Sequence, residues 1–245
     1  MTEAPAISSP SAGGPGLSLP ARIWGVLTSP RETFADVVAR PRWLGMMLVV
    51  ILVTAICTGG FLMTAVGQQA YLDNQIESTK RWVGEVSEAQ QAGMERMLPY
   101  AAPISAMSIA IITPIMWLVI SGILFAVFSA ALGGTATFKQ VFAVMAHSSA
   151  ITVVQQLFVT PLNYVRESMS SATNLAVFLP MLDEGSFLAK FLGTIDLFLV
   201  WWVVVLSIGL GVLFKRKTGP IAAGLFVIYG IIAVIVAAFF GRGGA

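Results

Sequence analysis

The side chains of this sequence that could do chemistry gather in one short stretch. Ser148, Ser149, Thr152, Gln155, Gln156 and Thr160 interrupt an otherwise apolar run, and the single histidine, His147, stands just before them. At about 100° per residue, the six side chains fall within an arc of about 140° on one side of a helix. Such a stripe either lines a hydrated path or ligand pocket, or bonds neighbouring helices together; helix–helix bonding is the preferred reading. His147 points about 80° away from the nearest edge of the stripe, which suits a structural or interfacial residue better than a proton carrier. It adjoins Ser148, but neighbours on a helix diverge by about 100° and cannot form a nucleophile–base dyad.

Other chemistries lack their parts. Cys57, the single cysteine, sits in an apolar run without the cationic or wet surroundings a reactive thiolate needs. There is no His-Glu-x-x-His pair and no Gly-rich phosphate loop, and no Cys or carboxylate cluster near His147 to complete a metal site. No enzyme activity, metal or cofactor is expected. Nor does any Asp, Glu, Lys or Arg fall mid-way along the apolar stretches, where each would cost ~2.5–3.5 kcal/mol; Asp196 stands at the mouth of one. Ion-coupled transport, which usually needs a buried carboxylate or a broken helix, is not expected either.

These residues must be positioned by membrane helices. The chain of 245 residues is 57% hydrophobic and 11% charged, against ~25% charged in a soluble domain. Its net charge of +2 gives no footprint for nucleic acid. Five stretches reach the ~20 apolar residues that cross a bilayer: 43–66, 105–132, 141–162, 195–214 and 221–240. They are read as helices, because open strands in lipid leave backbone groups unpaired. The expected fold is all-α, a polytopic bundle of about five transmembrane helices.

Residues 1–19 read as a disordered Ser/Pro/Gly/Ala leader without a signal peptide, and 241–245 as a short tail. Between leader and first span, residues 20–42 read as two amphipathic helices on the membrane surface. The second starts with Ser29 as N-cap, Pro30 at the first helical position and Glu32 in a capping box; Phe34, Val37 and Val38 form its apolar face and Pro41 ends it. Arg22, Trp24, Phe34, Arg40 and Arg42 are the candidate interfacial residues.

The polar segment 68–98 predicts helical extensions of the first two spans, meeting near Gln90–Gly93, with Glu77, Arg81 and Glu85 at i, i+4 spacing. Between the third and fourth spans, Leu175–Leu179 is too short to cross, and Ser186 is placed to cap a helix leading into the fourth. Pro114 predicts a kink in the second span. Gly122/Ala126/Ala130, Ser207/Gly211 and Gly230 with Ala233/Ala237 recur at spacings that let helices approach closely.

With the amino-terminus inside, eight cations lie on the cytoplasmic side (Arg22, Arg31, Arg40, Arg42, Lys139, Lys215, Arg216, Lys217) and six on the other. The cations beside span ends, Arg40, Arg42 and Lys215–Lys217, weigh most. The expected topology has the amino-terminus in and the carboxy-terminus out.

Three pieces then carry a family resemblance: Leu27-Thr28-Ser29-Pro30-Arg31-Glu32-Thr33-Phe34, Gly134-Thr135-Ala136-Thr137-Phe138-Lys139-Gln140-Val141-Phe142, and Asp196-Leu197-Phe198-Leu199-Val200-Trp201-Trp202 followed by Gly209 and Gly211. Their order and spacing over residues 20–240 resemble the Yip family of multi-span membrane proteins, named for interaction with Ypt/Rab GTPases. The resemblance implies five spans and a cytoplasmic amino-terminus, and is closest to the prokaryotic branch. It implies small GTPases or other membrane proteins as partners. Where relatives often carry a proline in the third span, this chain has Ser148-Ser149-Ala150-Ile151-Thr152, which puts a break there in doubt.

The leading functional expectation is a non-enzymatic membrane scaffold or adaptor, organising partners or the bilayer through its amphipathic leader. The alternative is a small channel or facilitator using the polar stripe. Oligomeric state is not readable from the sequence.

Overall fold

The computed structural model describes residues 16–131, 133–183 and 186–240. The expected disorder of the leader, up to residue 15, and the tail 241–245 lie outside them.

The first two helices form where the sequence places them. Helix α1 (Leu19–Thr28) is capped by Ser18, and α2 (Pro30–Ala39) begins at Pro30 after Ser29. The capping box does not form: the Ser29 hydroxyl makes no cap bond. Instead the Ser29 carbonyl accepts from both the hydroxyl and the backbone N–H of Thr33, at 3.0 and 3.1 Å. The two helices close into a tight hairpin at Gly25, where a Cβ would run into the Thr33 side chain.

This hairpin turns its apolar face inward. Val26, Phe34 and Val37 are fully buried in one core with Val141 and Val144 of α6 (Phe138–Ser148) and Leu206 and Leu210 of α9 (Leu197–Leu213). Backbone approach makes room for them: a Cβ at Gly209 would sit 2.6 Å from Val144 Cγ1 and 3.0 Å from the Phe34 ring. The face expected to dip into lipid is therefore covered by protein, and the outward side carries Trp24, 69% exposed.

Helix α3 (Leu44–Leu62) is the first span. It stops at Met63–Thr64, where the Thr64 hydroxyl accepts from Gly67 N–H at 2.9 Å and starts α4 (Ala65–Val83). α4 is thus a separate polar helix and not an extension of the span. It carries the expected Glu77–Arg81 pair at 3.1 Å. The turn falls at Gly84–Ser87, earlier than expected, because Gly84 takes φ 83° and Ser87 builds a capping box with Gln90. Helix α5 (Glu88–Phe125) then runs through Pro99, Pro103 and Pro114 and passes into a π-helical segment, Ala126–Ala131. Gly122 has open space where a Cβ would stand, so the small-residue stripe makes no close approach there. Ala233, Ala237, Ser207 and Gly211 are buried, as a packing role requires.

The third span is two helices, α6 (Phe138–Ser148) and α7 (Ala150–Val165). A Thr137–Gln140 capping box starts α6. Every residue from 141 to 151 is buried, so from Val141 onward α6 is the central rod of the bundle, covered on all sides. The break at Ser149 needs no proline. Ser148 and Ser149 each turn a hydroxyl back to the carbonyl four residues earlier, Val144 at 2.9 Å and Met145 at 3.1 Å, a bonding pattern that bends helices. The break that Ser148–Thr152 put in doubt is present.

After α7, a 3₁₀ turn (Leu175–Phe178) packs against α8 (Phe187–Thr194), which Ser186 caps as expected. Helices α9 (Leu197–Leu213) and α10 (Thr218–Phe240) complete the bundle. Among the described residues, four stretches are long and apolar enough to cross a membrane: Leu44–Leu62, Glu88–Ser129, Phe138–Val165 and Thr218–Ala238. The fourth expected span is α9, whose 17 residues are at the short end of the ~17–25 that span a bilayer. This is an all-α, multi-pass membrane protein.

Candidate functional site

Two polar clusters stand out inside this apolar protein, one closed and one open. The closed cluster begins with Arg22 of α1, 2% exposed. Its guanidinium donates from Nε (2.9 Å) and Nη2 (2.7 Å) to Asp36 Oδ2 of α2, and Nη2 also reaches the Arg40 carbonyl at 3.1 Å. Asp36 Oδ1 in turn accepts from Arg40 Nη1 at 3.0 Å and from Leu17 N–H at 3.4 Å. The third side of Arg22 meets α6: Nη1 lies 3.5 Å from His147 Nε2. His147 Nδ1 sits 2.8 Å from the Ala143 carbonyl. A carbonyl only accepts and a guanidinium only donates, so the ring is held with its proton on Nδ1 and its Nε2 lone pair toward Arg22. His147 is thereby a fixed acceptor in a structural network. Paired and hydrogen-bonded in this way, the charges can be taken out of water.

Of the leader residues, Arg22 and Phe34 are thus core residues. Arg40 is partly covered by its pairing with Asp36, while Trp24 and Arg42 remain exposed. Sequence reading missed Asp36, although its i, i+4 spacing to Arg40 was available as a signal.

The open cluster is a cavity of about 650 Å³ between α5, α7 and α9, bounded by Trp117, Ile120 and Met145 at one end and by Asn163, Ser171 and Asp196 at the other. Ser149, Thr152 and Gln155 line it between these ends. The stripe is therefore divided. Ser148 is fully buried and spends its hydroxyl on Val144, and Gln156 and Thr160, both half-buried, do not line the cavity. A single 100° rotation could not show this, because the break at Ser149 separates Ser148 from the helix that carries the rest.

At the polar end, Asp196 is saturated. Its Oδ2 accepts from the Ser171 and Thr173 hydroxyls at 2.7 and 2.6 Å, and its Oδ1 from Phe198 and Leu199 N–H at 2.8 and 3.3 Å. Four donors use the whole acceptor capacity of a carboxylate, so Asp196 is the N-cap of α9 and a clamp on the preceding loop. The adjacent Asn163 differs: its Oδ1 is buried and finds no hydrogen-bond partner among the described residues. Among the described residues, no three His, Cys, Asp or Glu side chains assemble to hold a metal ion.

The model of the Yip1 domain matches residues 24–240, nearly the whole of the helical bundle. The chain belongs to the Yip1 domain family. That is not a known enzyme family. Neither the curated proteins nor the solved structures contain a match to this chain. The Yip1 domain here includes α1 from Trp24 onward and all of α2, so the hairpin is part of the family's folded unit. Arg22 lies just before the matched region and is bound to it through Asp36 and His147.

Proposed function

We propose that this Yip1-domain protein is a non-enzymatic scaffold or adaptor of a prokaryotic cell membrane, organising membrane partners or the bilayer around it. The observation that carries this reading is the Arg22–Asp36–His147 clamp. It makes the amino-terminal hairpin a fixed wall of the bundle, and a fixed wall presents the exposed Trp24 and Arg42 in one constant arrangement. The ionisable groups of the closed cluster are bonded to one another and to backbone, which leaves them no chemical duty. The amino-terminus is cytoplasmic and the carboxy-terminus opposite, as the cations near span ends favour. Small GTPases are one partner class to probe, on family resemblance.

Deleting residues 1–40 would remove the core side chains Val26, Phe34 and Val37, so the test uses the exposed face. Affinity capture in mild detergent is run with the intact protein and with Trp24→Ala/Arg42→Ala. We expect the intact protein to retain a defined set of proteins or lipids, and the double variant to lose part of it at unchanged melting temperature. Identical sets would overturn the proposal.

The second reading, a small facilitator, is favoured by the unpartnered Asn163 oxygen beside Gln155 in the cavity. It predicts solute flux into reconstituted vesicles that Gln155→Leu/Asn163→Leu abolishes. Absence of flux from the unmutated protein across a broad panel removes it.

A further inference from the structure

The turn joining α9 to α10 carries three consecutive cations, Lys215, Arg216 and Lys217. α9 ends in a Schellman motif: Arg216 N–H donates to Gly211 O at 2.9 Å and Lys215 N–H to Val212 O at 3.4 Å. Lys215 accordingly takes the left-handed conformation, φ 53°, a position where glycine is usual. The turn folds against the start of α2, so that Arg31 joins the three cations around a cavity of about 380 Å³. A second cavity, about 460 Å³, lies between the inner end of α5 and the first turns of α10. Its walls are apolar, among them Leu124, Val127, Phe128, Ile221 and Ile228. Arg216 and Lys217 line both cavities, so the basic pocket and the apolar groove meet at the same two residues. Both volumes are within the ~300–1,000 Å³ of ligand sites. No carboxylate is among the described residues that line either.

We infer that this feature is a binding site for an anionic phospholipid, with its phosphate held by Arg31, Lys215 and Lys217 and an acyl chain in the α5–α10 groove. The chemistry matches in both halves. Basic pockets between membrane helices bind anionic head groups, and guanidinium and ammonium groups are the usual phosphate donors. A cluster of cations alone would serve only to orient the protein in the membrane; the apolar groove lined by the same two residues gives it room for an acyl chain. The site goes beyond the scaffold reading and stands whether or not that reading holds.

Two folding-safe variants probe the two halves separately. Lys215→Gly removes an ammonium at a backbone position that glycine prefers. Gly224→Leu fills the groove, since Gly224 lines it and a Cβ there meets nothing within 4 Å. Lys217→Gln and the exposed Lys139→Gln, which lines neither cavity, complete the set.

The purified protein is placed in nanodiscs of phosphatidylcholine with a minor fraction of phosphatidylglycerol. Lipid retained after mild detergent extraction is counted by native mass spectrometry. We expect phosphatidylglycerol to be retained over phosphatidylcholine, with about a fivefold loss of preference for each of Lys215→Gly and Lys217→Gln. Gly224→Leu should lower retention of both lipids, and Lys139→Gln should change nothing. Glycerol 3-phosphate, which has the head group without the chains, should not displace the bound lipid. Equal retention of the two lipids, an equal loss with Lys139→Gln, unchanged retention with Gly224→Leu, or displacement by glycerol 3-phosphate would each overturn the assignment.

Discussion

The knot of α1, α2, α6 and α9 and the cavity between α5, α7 and α9 are built from similar residue types to opposite ends. In the knot, each polar side chain is answered: Arg22 by Asp36, the Arg40 carbonyl and His147; Asp36 by two cations and a backbone N–H; His147 by Ala143. In the cavity, Asp196 is answered four times, while Asn163, which lines the same cavity, keeps a buried oxygen with no partner among the described residues. Saturation marks a group as architecture. A buried polar atom left without a partner costs stability, and such a cost is a reason to look for function.

The sharpest way to break this contrast is to unpair the knot. Asp36→Ala leaves the Arg22 guanidinium buried and facing no counter-charge. Removing one partner of a buried ion pair destabilises by about 3–5 kcal/mol, so melting in detergent should fall steeply or the variant should fail to accumulate. A change no larger than that of an exposed substitution would mean that the hairpin is held by its apolar face alone. Gly209→Val tests that face directly. Its Cβ would meet Val144 and the Phe34 ring, and overpacking of this kind costs about 1–3 kcal/mol. Phe34→Leu, which gives back room, should recover part of that loss in the double variant. Strict additivity of the two would show that they do not touch.

The contrast also separates what could be read from residue types from what could not. Helix positions were legible because apolar length and punctuation are local: Pro30 starts α2 and Ser186 caps α8 where their signals stood, and the oily stretches lie on helices. The burial of α1 and α2 was not, since an amphipathic helix shows the same stripe to lipid as to protein. Only the neighbour decides, and Gly209, the residue that admits Phe34, lies 175 positions further along. The Arg22–His147 contact is equally remote at 125 residues. The break in the third span was hidden for another reason. Proline announces a break by lacking a donor, whereas Ser148 and Ser149 make theirs through rotamers that residue type does not fix. That break also dissolved the six-residue stripe, leaving Ser149, Thr152 and Gln155 as the part that faces the cavity.

The smallest expected effect is the one that decides how to read the cavity. Asn163→Leu exchanges an amide with an unpartnered, buried oxygen for an apolar side chain of similar size. If that oxygen is unbonded in the native protein, the exchange relieves its desolvation cost and raises stability by up to about 1 kcal/mol. Melting of the purified variant in detergent measures it, with Thr173→Val as the comparison, because that hydroxyl does bond Asp196 at 2.6 Å. We expect Asn163→Leu to melt at or above the unmutated protein and Thr173→Val below it. A stabilised Asn163→Leu would mean that the native chain carries a removable cost at this spot, which is what a ligand-facing amide requires and a packing residue does not. A destabilised one would show that the amide is already bonded within the bundle, and the cavity would then join the knot as architecture.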